Sequence, residues 1–357
     1  ELYYTGNTRN LQGIRHPYQV KAELGAKEVV NKRVIIDGIP KAYTEHFRDP
    51  KVIKKADIYY MIIGAQRENL TGAALMYTSK DSENWEFAYE VKTEYEDLGY
   101  MWECPDLTQV EGKDVLLFCP QGSMNTPIEK ENLYPSVYLL GDYNFETGYF
   151  NNDKAVEKLD YGFDFYAAQT FSDENNDTVL IAWVGMPEIA YPSDKFGWAH
   201  VLTLPRKLKV IDGVLHQIPH PNLKKLRDRK ITSLENVSLY ELKINDIKES
   251  LEIQLYSKDN ESLKLTYNKE ERKVILDRSN FKESFGEKYG QMREIYMRND
   301  LNSIHVFRDT STIEIFLNNG EYTMTARFFP QIIEGDIIIE PQVQAEVYLL
   351  KEDIHDL

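Results

Sequence analysis

Tyr59-Tyr60-Met61-Ile62-Ile63-Gly64-Ala65 is an apolar, aromatic-rich run that closes on two small residues. The same kind of segment recurs along the chain. Leu2-Tyr3-Tyr4-Thr5-Gly6 precedes it, and Val115-Leu116-Leu117-Phe118-Cys119-Pro120 and Val179-Leu180-Ile181-Ala182-Trp183-Val184-Gly185 follow. Starts at 2, 59, 115 and 179 give steps of 57, 56 and 64 residues. Short apolar runs bounded by turn residues read as strands. A long period built only of strands and turns marks a radial array such as a β-propeller. In the unit that opens near Phe47, strands are expected at 46–53, 58–65, 73–78 and 85–91, with polar turns such as Ser79-Lys80-Asp81-Ser82 between them.

The pattern ends near Trp198-Ala199-His200-Val201-Leu202-Thr203-Leu204-Pro205-Arg206, and a turn-rich link with Asp212-Gly213 and Pro219-His220-Pro221 follows. From about Leu226 the texture is clean alternation, as in Leu251-Glu252-Ile253-Gln254-Leu255 and Thr312-Ile313-Glu314-Ile315-Phe316-Leu317, with Asn318-Asn319-Gly320 as a turn. Alternation with hairpin turns gives sheets with one solvated face, hence a β-sandwich. The expected architecture is therefore all-β, a propeller over residues 1–222 and a C-terminal sandwich over 223–357. The charge run Lys224, Lys225, Arg227, Arg229 and Lys230 reads as a solvated connector.

Composition narrows the function. The 357 residues carry a net charge of −16, which argues against nucleic acid or an anionic membrane as partner, since both need a basic face. No run approaches the roughly 20 apolar residues of a membrane span. The two cysteines, Cys104 and Cys119, sit in apolar strand-like segments. So few favour a reducing, cytoplasmic setting, with a single disulfide left open. No Cys or His spacing suits a metal, and no cofactor is expected.

Two acidic stretches stand out, Glu45-His46-Phe47-Arg48-Asp49-Pro50 and Met101-Trp102-Glu103-Cys104-Pro105-Asp106. Either carboxylate alone would pass for a strand-end cap. Both, however, fall in the strand just before an apolar run, and Asp164-Phe165-Tyr166-Ala167-Ala168-Gln169-Thr170 holds that place in the next repeat. In a propeller this strand is the innermost one of its blade. Asp49 and Glu103 should then face one axial pocket, joined by Asp160 or Tyr166. Arg48 is expected to hold Asp49 ionised. Trp102 and Cys104 are expected to give Glu103 an apolar setting suited to an acid. Two carboxylates in contrasting surroundings are what glycoside hydrolysis uses.

On these motifs the chain resembles glycoside hydrolase family 32, the invertases, fructanases and sucrose-6-phosphate hydrolases. Arg48-Asp49-Pro50 and Glu103-Cys104-Pro105-Asp106 are similar to the family's two acidic motifs. Asp160-Tyr161-Gly162-Phe163-Asp164, Leu202-Thr203-Leu204-Pro205-Arg206 and Phe307-Arg308-Asp309 extend the likeness over the whole chain. Arg15-His16-Pro17-Tyr18-Gln19 is closest to the bacterial sucrose-6-phosphate hydrolase branch.

The resemblance implies a five-bladed propeller and a retaining β-fructofuranosidase acting on sucrose, sucrose 6-phosphate or a fructan. It assigns Glu103 as acid and then base, and Asp49, oriented by Arg48, as stabiliser of the cationic transition state. Asp160 and Tyr166 are implied to face the sugar, Cys104 to line the site, and Trp198 to stack on a ring or join the core. The family's nucleophile motif, Trp-Met-Asn-Asp-Pro-Asn-Gly, does not occur in the chain. Glu1-Leu2-Tyr3-Tyr4 reads as mid-strand, so about three and a half blades are expected, completed by a partner copy or a separate N-terminal fragment. Such a fragment is expected to be inactive alone. A non-catalytic carbohydrate binder is the competing reading.

Overall fold

The computed structural model describes residues 1–122 and 134–352. Among them helix is confined to three short 3-10 turns, and the rest of the regular structure is antiparallel strand. The chain forms two compact units, Glu1–Lys158 with Ala167–Thr170, and Leu159–Tyr166 with Phe171–Leu357.

The first unit holds three up-and-down sheets of consecutive strands. The first is β1 (Leu2–Arg9), β2 (Arg15–Leu24) and β3 (Val29–Asp37); the second is β4 (Tyr43–Lys55), β5 (Ile58–Arg67), β6 (Gly72–Ser79) and β7 (Glu86–Glu90). The third joins β8 (Met101–Val110), β9 (Lys113–Gln121), β10 (Val137–Asn144) and β11 (Tyr149–Asn152), with β12 (Glu157–Lys158) also on β10. The four strands expected between 46 and 91 are all present.

Strand β5 explains why its sequence is apolar at every position instead of at alternate ones. Side chains leave a strand on alternating faces. Met61, Ile63 and Ala65 join Phe47, Leu75, Tyr77 and Ile36 in one core, while Ile62 joins Trp102, Leu107, Leu116 and Phe118 in another. The small residues that close the run are also explained. A Cβ on Gly64 would stand 2.1 Å from the Trp102 carbonyl oxygen, and one on Gly72 2.4 Å from the Trp102 ring. Glycine there lets β8 pass against the second sheet. Strand β1 departs from the pattern: Leu2 and Tyr4 are over a third exposed, because β1 lies at the edge of its sheet.

The second unit carries a ladder of Thr178–Val184, Arg206–Ile211 and Val214–Pro219, with Val201–Leu202 alongside the first. It also holds two larger sheets. One has six strands, in the order Arg227–Ile231, Ala345–Leu350, Tyr240–Ile244, Ile304–Arg308, Thr312–Leu317, Tyr322–Arg327. The other has five, in the order Met292–Tyr296, Lys273–Asn280, Glu261–Asn268, Leu251–Lys258, Asp336–Glu340. Leu242, Val306, Ile315 and Met324 from one sheet pack with Ile253, Leu265 and Leu276 from the other in a single core. Leu251, Ile253 and Leu255 point inward while Glu252 and Gln254 stay partly exposed, the alternation expected of a sandwich.

Candidate active site

The strands that begin the second and third sheets break at the same place. The β4–β5 register shifts between Arg48 and Lys51, and the β8–β9 register between Glu103 and Asp106. Inside each break a non-glycine residue takes a left-handed backbone, Asp49 at φ 66° and Cys104 at φ 50°. Ala167, in strand β13 (Tyr166–Ser172), does the same at φ 55°. Such backbones are uncommon and collect at functional sites, and bulges re-aim the side chains beside them. Pro50 and Pro105 fit here because a bulge asks for no N–H at that point.

The bulges bring the two carboxylates together. The Asp49 carboxylate accepts the Cys104 backbone N–H at 3.0 Å through Oδ2, with the Cys104 Sγ 3.7 Å from the same oxygen. Arg48 donates to Glu103 Oε1 from Nε at 2.9 Å and from Nη2 at 2.5 Å, and Gln121 Nε2 donates to Glu103 Oε2 at 2.7 Å. The expected pairing is thus reversed: the guanidinium sits on Glu103, not on Asp49. Neighbours on a strand face different sides, so adjacency in sequence did not make Arg48 the hydrogen-bond partner of Asp49. Burial raises the Asp49 carboxyl above its ordinary value, with the charge of Glu103 adding to it and the Cys104 N–H and Arg48 opposing. The apolar wall expected around Glu103 is also corrected. Trp102 projects from the other face, stacked on Phe118 at 4.2 Å between centroids, with its indole N–H on the Leu98 carbonyl.

Neighbouring strands brace this pair. The Asp49 N–H donates to Thr5 Oγ1, Thr5 donates to Gln19, and Gln19 Nε2 reaches the Phe47 carbonyl at 3.5 Å. Buried Asp106 takes Lys51 Nζ at 3.0 Å and the Thr170 N–H and Oγ1 at 2.6 and 2.9 Å, while Lys51 also donates to the Thr170 carbonyl. Gln169 reaches the Cys104 carbonyl at 3.3 Å. Asp106 ends a motif that the sequence displays, but its partners lie 55 and 64 residues away. Gln121, at the polar end of an apolar run, carries no motif at all.

The remaining expected residues fall elsewhere. Asp160 is buried with both oxygens engaged: Oδ1 accepts the N–H groups of Gly162 and Thr325, and Oδ2 accepts Arg206, Thr323 and Thr325. The expectation that it faces a sugar is corrected, since these internal donors saturate it. Tyr166 is buried with its ring 6.2 Å from that of Trp183. Trp198 is half-exposed, its ring 5.3 Å from the Arg327 guanidinium carbon, which settles against a core position. Cys104 and Cys119 are free thiols; contact with Cys119 and burial hold the Cys104 thiol well above its ordinary value.

The family model described as the glycosyl hydrolases family 32 N-terminal domain matches residues 1–219, and the family 32 C-terminal model matches 217–348. The chain belongs to glycoside hydrolase family 32. A sucrose-6-phosphate hydrolase of Staphylococcus xylosus is 43% identical over 343 residues, covering 91% of this chain and 69% of its own. The structure of a sucrose-6-phosphate hydrolase from Lactobacillus gasseri superposes with a TM-score of 0.92 at 32% identity, covering 98% of this chain and 75% of that one. A Bombyx mori family 32 β-fructofuranosidase, in a mutant form in complex with sucrose, superposes at 0.82 and 30% identity, covering 98% and 76%. This family 32 chain is accordingly a glycoside hydrolase, with an N-terminal propeller and a C-terminal β-sandwich. Among the described residues no helix is long and apolar enough to cross a membrane.

Proposed function

We propose that this chain supplies Glu103 and Asp49 to a site that cleaves the fructosyl bond of sucrose 6-phosphate or sucrose with retention, the attacking carboxylate coming from elsewhere. The observation that carries the reading is the junction of the two bulged strands, where Arg48 grips Glu103 and Asp49 rests on the Cys104 N–H. The propeller has five blades in this reading, residues 1–222 form the catalytic domain and 223–357 the sandwich, whose last five positions lie outside the described residues.

Glu103 protonates the departing glucosyl oxygen and later draws a proton from water. Arg48 fixes Oε1, so Oε2, on the neutral amide of Gln121, is the oxygen that carries the proton. Asp49 keeps Oδ2 on Cys104 and offers Oδ1, which has no partner among the described residues, to fructosyl hydroxyls. A carboxylate buried there stabilises the positive charge that grows on the ring. The attacking carboxylate is the Asp of the family's Trp-Met-Asn-Asp-Pro-Asn-Gly motif, which this chain does not contain.

Glu103→Gln, made in a protein that also carries the attacking carboxylate, tests the assignment. On sucrose or sucrose 6-phosphate, whose leaving groups need a proton, turnover should fall by about 10²–10⁴-fold. An aryl fructoside with an activated leaving group should lose far less. Equal losses on both would remove Glu103 from the acid role. Comparing sucrose, sucrose 6-phosphate and levan separates the substrate classes.

A further inference from the structure

The acid is held by more than its direct partners. Gln121 Nε2 donates to Glu103 Oε2 at 2.7 Å, and the Gln121 carbonyl accepts the Tyr100 N–H at 2.8 Å. Gly99, at φ 74°, makes room for that approach, since a Cβ there would stand 2.4 Å from the Gln121 carbonyl oxygen. The Tyr100 carbonyl in turn accepts Gln66 Nε2 at 2.8 Å, and Gln66 Oε1 accepts the Thr44 hydroxyl at 2.9 Å. Thr44 Oγ1 takes the His46 N–H at 3.2 Å, and His46 Nδ1 lies 3.0 Å from Arg48 Nη1. Arg48 returns to Glu103 Oε1. The ring begins and ends on one carboxyl group and stitches β8 and β9 to β4 and β5. Chemistry fixes the direction of its bonds. Carbonyls and carboxylates only accept, so each glutamine must present Nε2 to them, and an arginine only donates, so Nδ1 accepts. Gln66 and Gln121 are both buried, where an unsatisfied donor is costly.

We infer that Gln121, held in turn by Gln66, is a positioning residue for the acid: the ring fixes the plane of the Glu103 carboxyl group and presents Oε2 as the oxygen that exchanges the proton. The last torsion of a glutamate is soft, and Arg48, bonding one oxygen, would by itself leave the carboxyl group free to swing. A second cation on Oε2 would favour the ionised form and oppose protonation. A neutral amide holds the atom in place and lets the proton come and go. For the acid's task this rests on the hydrolase reading, and it adds the residues that aim the acid.

The test reads Glu103 directly in the full chain, by NMR of labelled glutamate carboxyl carbons against pH, its signal being the one that Glu103→Gln removes. Gln121→Met keeps the length of the side chain and deletes the donor. Losing a hydrogen bond to the ionised form should raise the titration midpoint by about one to two pH units. Gln66→Met leaves that bond in place and loosens its support, so the midpoint should rise by less. An unmoved midpoint in Gln121→Met, or in Gln66→Met should the first variant not fold, overturns the positioning role. In a protein that also carries the attacking carboxylate, the alkaline limb of fructose release from sucrose should move with the midpoint; a limb that stays put overturns the role as well. A moved midpoint with undiminished fructose release in Glu103→Gln overturns the hydrolase reading and leaves the hold of Gln121 on Glu103 standing.

Discussion

Two of this molecule's buried arginine–carboxylate clusters are finished to different degrees. In the second unit Arg206 is fully buried. It donates to Glu314 at 2.7 Å, Asp160 at 3.1 Å, Gln217 at 2.8 Å and Thr325 at 2.6 Å, with Phe165 and Phe316 against its flat faces. Both Asp160 oxygens are engaged as well. In the first unit Arg48 and Glu103 keep some exposure, Asp49 has an oxygen to spare, and the backbone beneath is left-handed at two non-glycine residues. Ionic groups in a saturated, dry network are set up for holding the fold. Groups with spare valence on a strained backbone are set up for meeting something else. The sequence advertises both clusters with acidic motifs of equal prominence, and only the count of satisfied bonds separates them.

The largest effect that this contrast demands is that of Arg206→Met. Removing one partner of a buried pair leaves Asp160 and Glu314 uncompensated, at about 3–5 kcal/mol. The second unit should lose about 10 °C or more in melting temperature. A drop of only a degree or two would mean that this cluster is not structural. Asp106→Asn comes next. It keeps an acceptor for Thr170 but removes the charge opposite Lys51, and about 1–3 kcal/mol is expected, read as weakened amide-exchange protection in β4, β8 and 167–170. Unaltered protection there would show that the brace is idle.

Asp49→Asn should have the smallest effect on stability and the opposite sign. The folded-state carboxyl titrates above its unfolded value near 3.9. Below that value the side chain is protonated in both states and costs nothing. As pH rises through the folded value, ionising the buried group sets in as a penalty. The asparagine, which still accepts the Cys104 N–H, should melt above the wild type at pH 7, by about 2–4 °C per kcal/mol removed. The gap should close on acidification. Activity should fall by about 10²–10³-fold, the usual loss for a transition-state stabiliser. A variant that melts lower at neutral pH would show that Asp49 stabilises the fold as the Arg206 cluster does.

The propeller-like repeat followed by a sandwich, the four strands of the unit opening near Phe47 and the residues of the acidic motifs could be read from the amino-acid string alone. Strand periodicity and turn chemistry are local, so the runs at 59, 115 and 179, the alternation after 226 and the Asn318-Asn319-Gly320 turn were legible without coordinates. The bulged strands before β5 and β9 could be picked out because the motifs repeat at one place in each unit. Who bonds to whom was settled only in three dimensions. Neighbours on a strand face opposite sides, so Arg48 left Asp49 for Glu103, and Trp102 left Glu103 for Phe118. Gln121, Thr5 and Thr170 joined through contacts 18 to 64 residues distant, and Asp160 was claimed by Thr323, Thr325 and Arg206. Hydrogen-bond valence is filled by whatever the folded chain brings near, and a one-dimensional pattern carries no record of which partner arrives first.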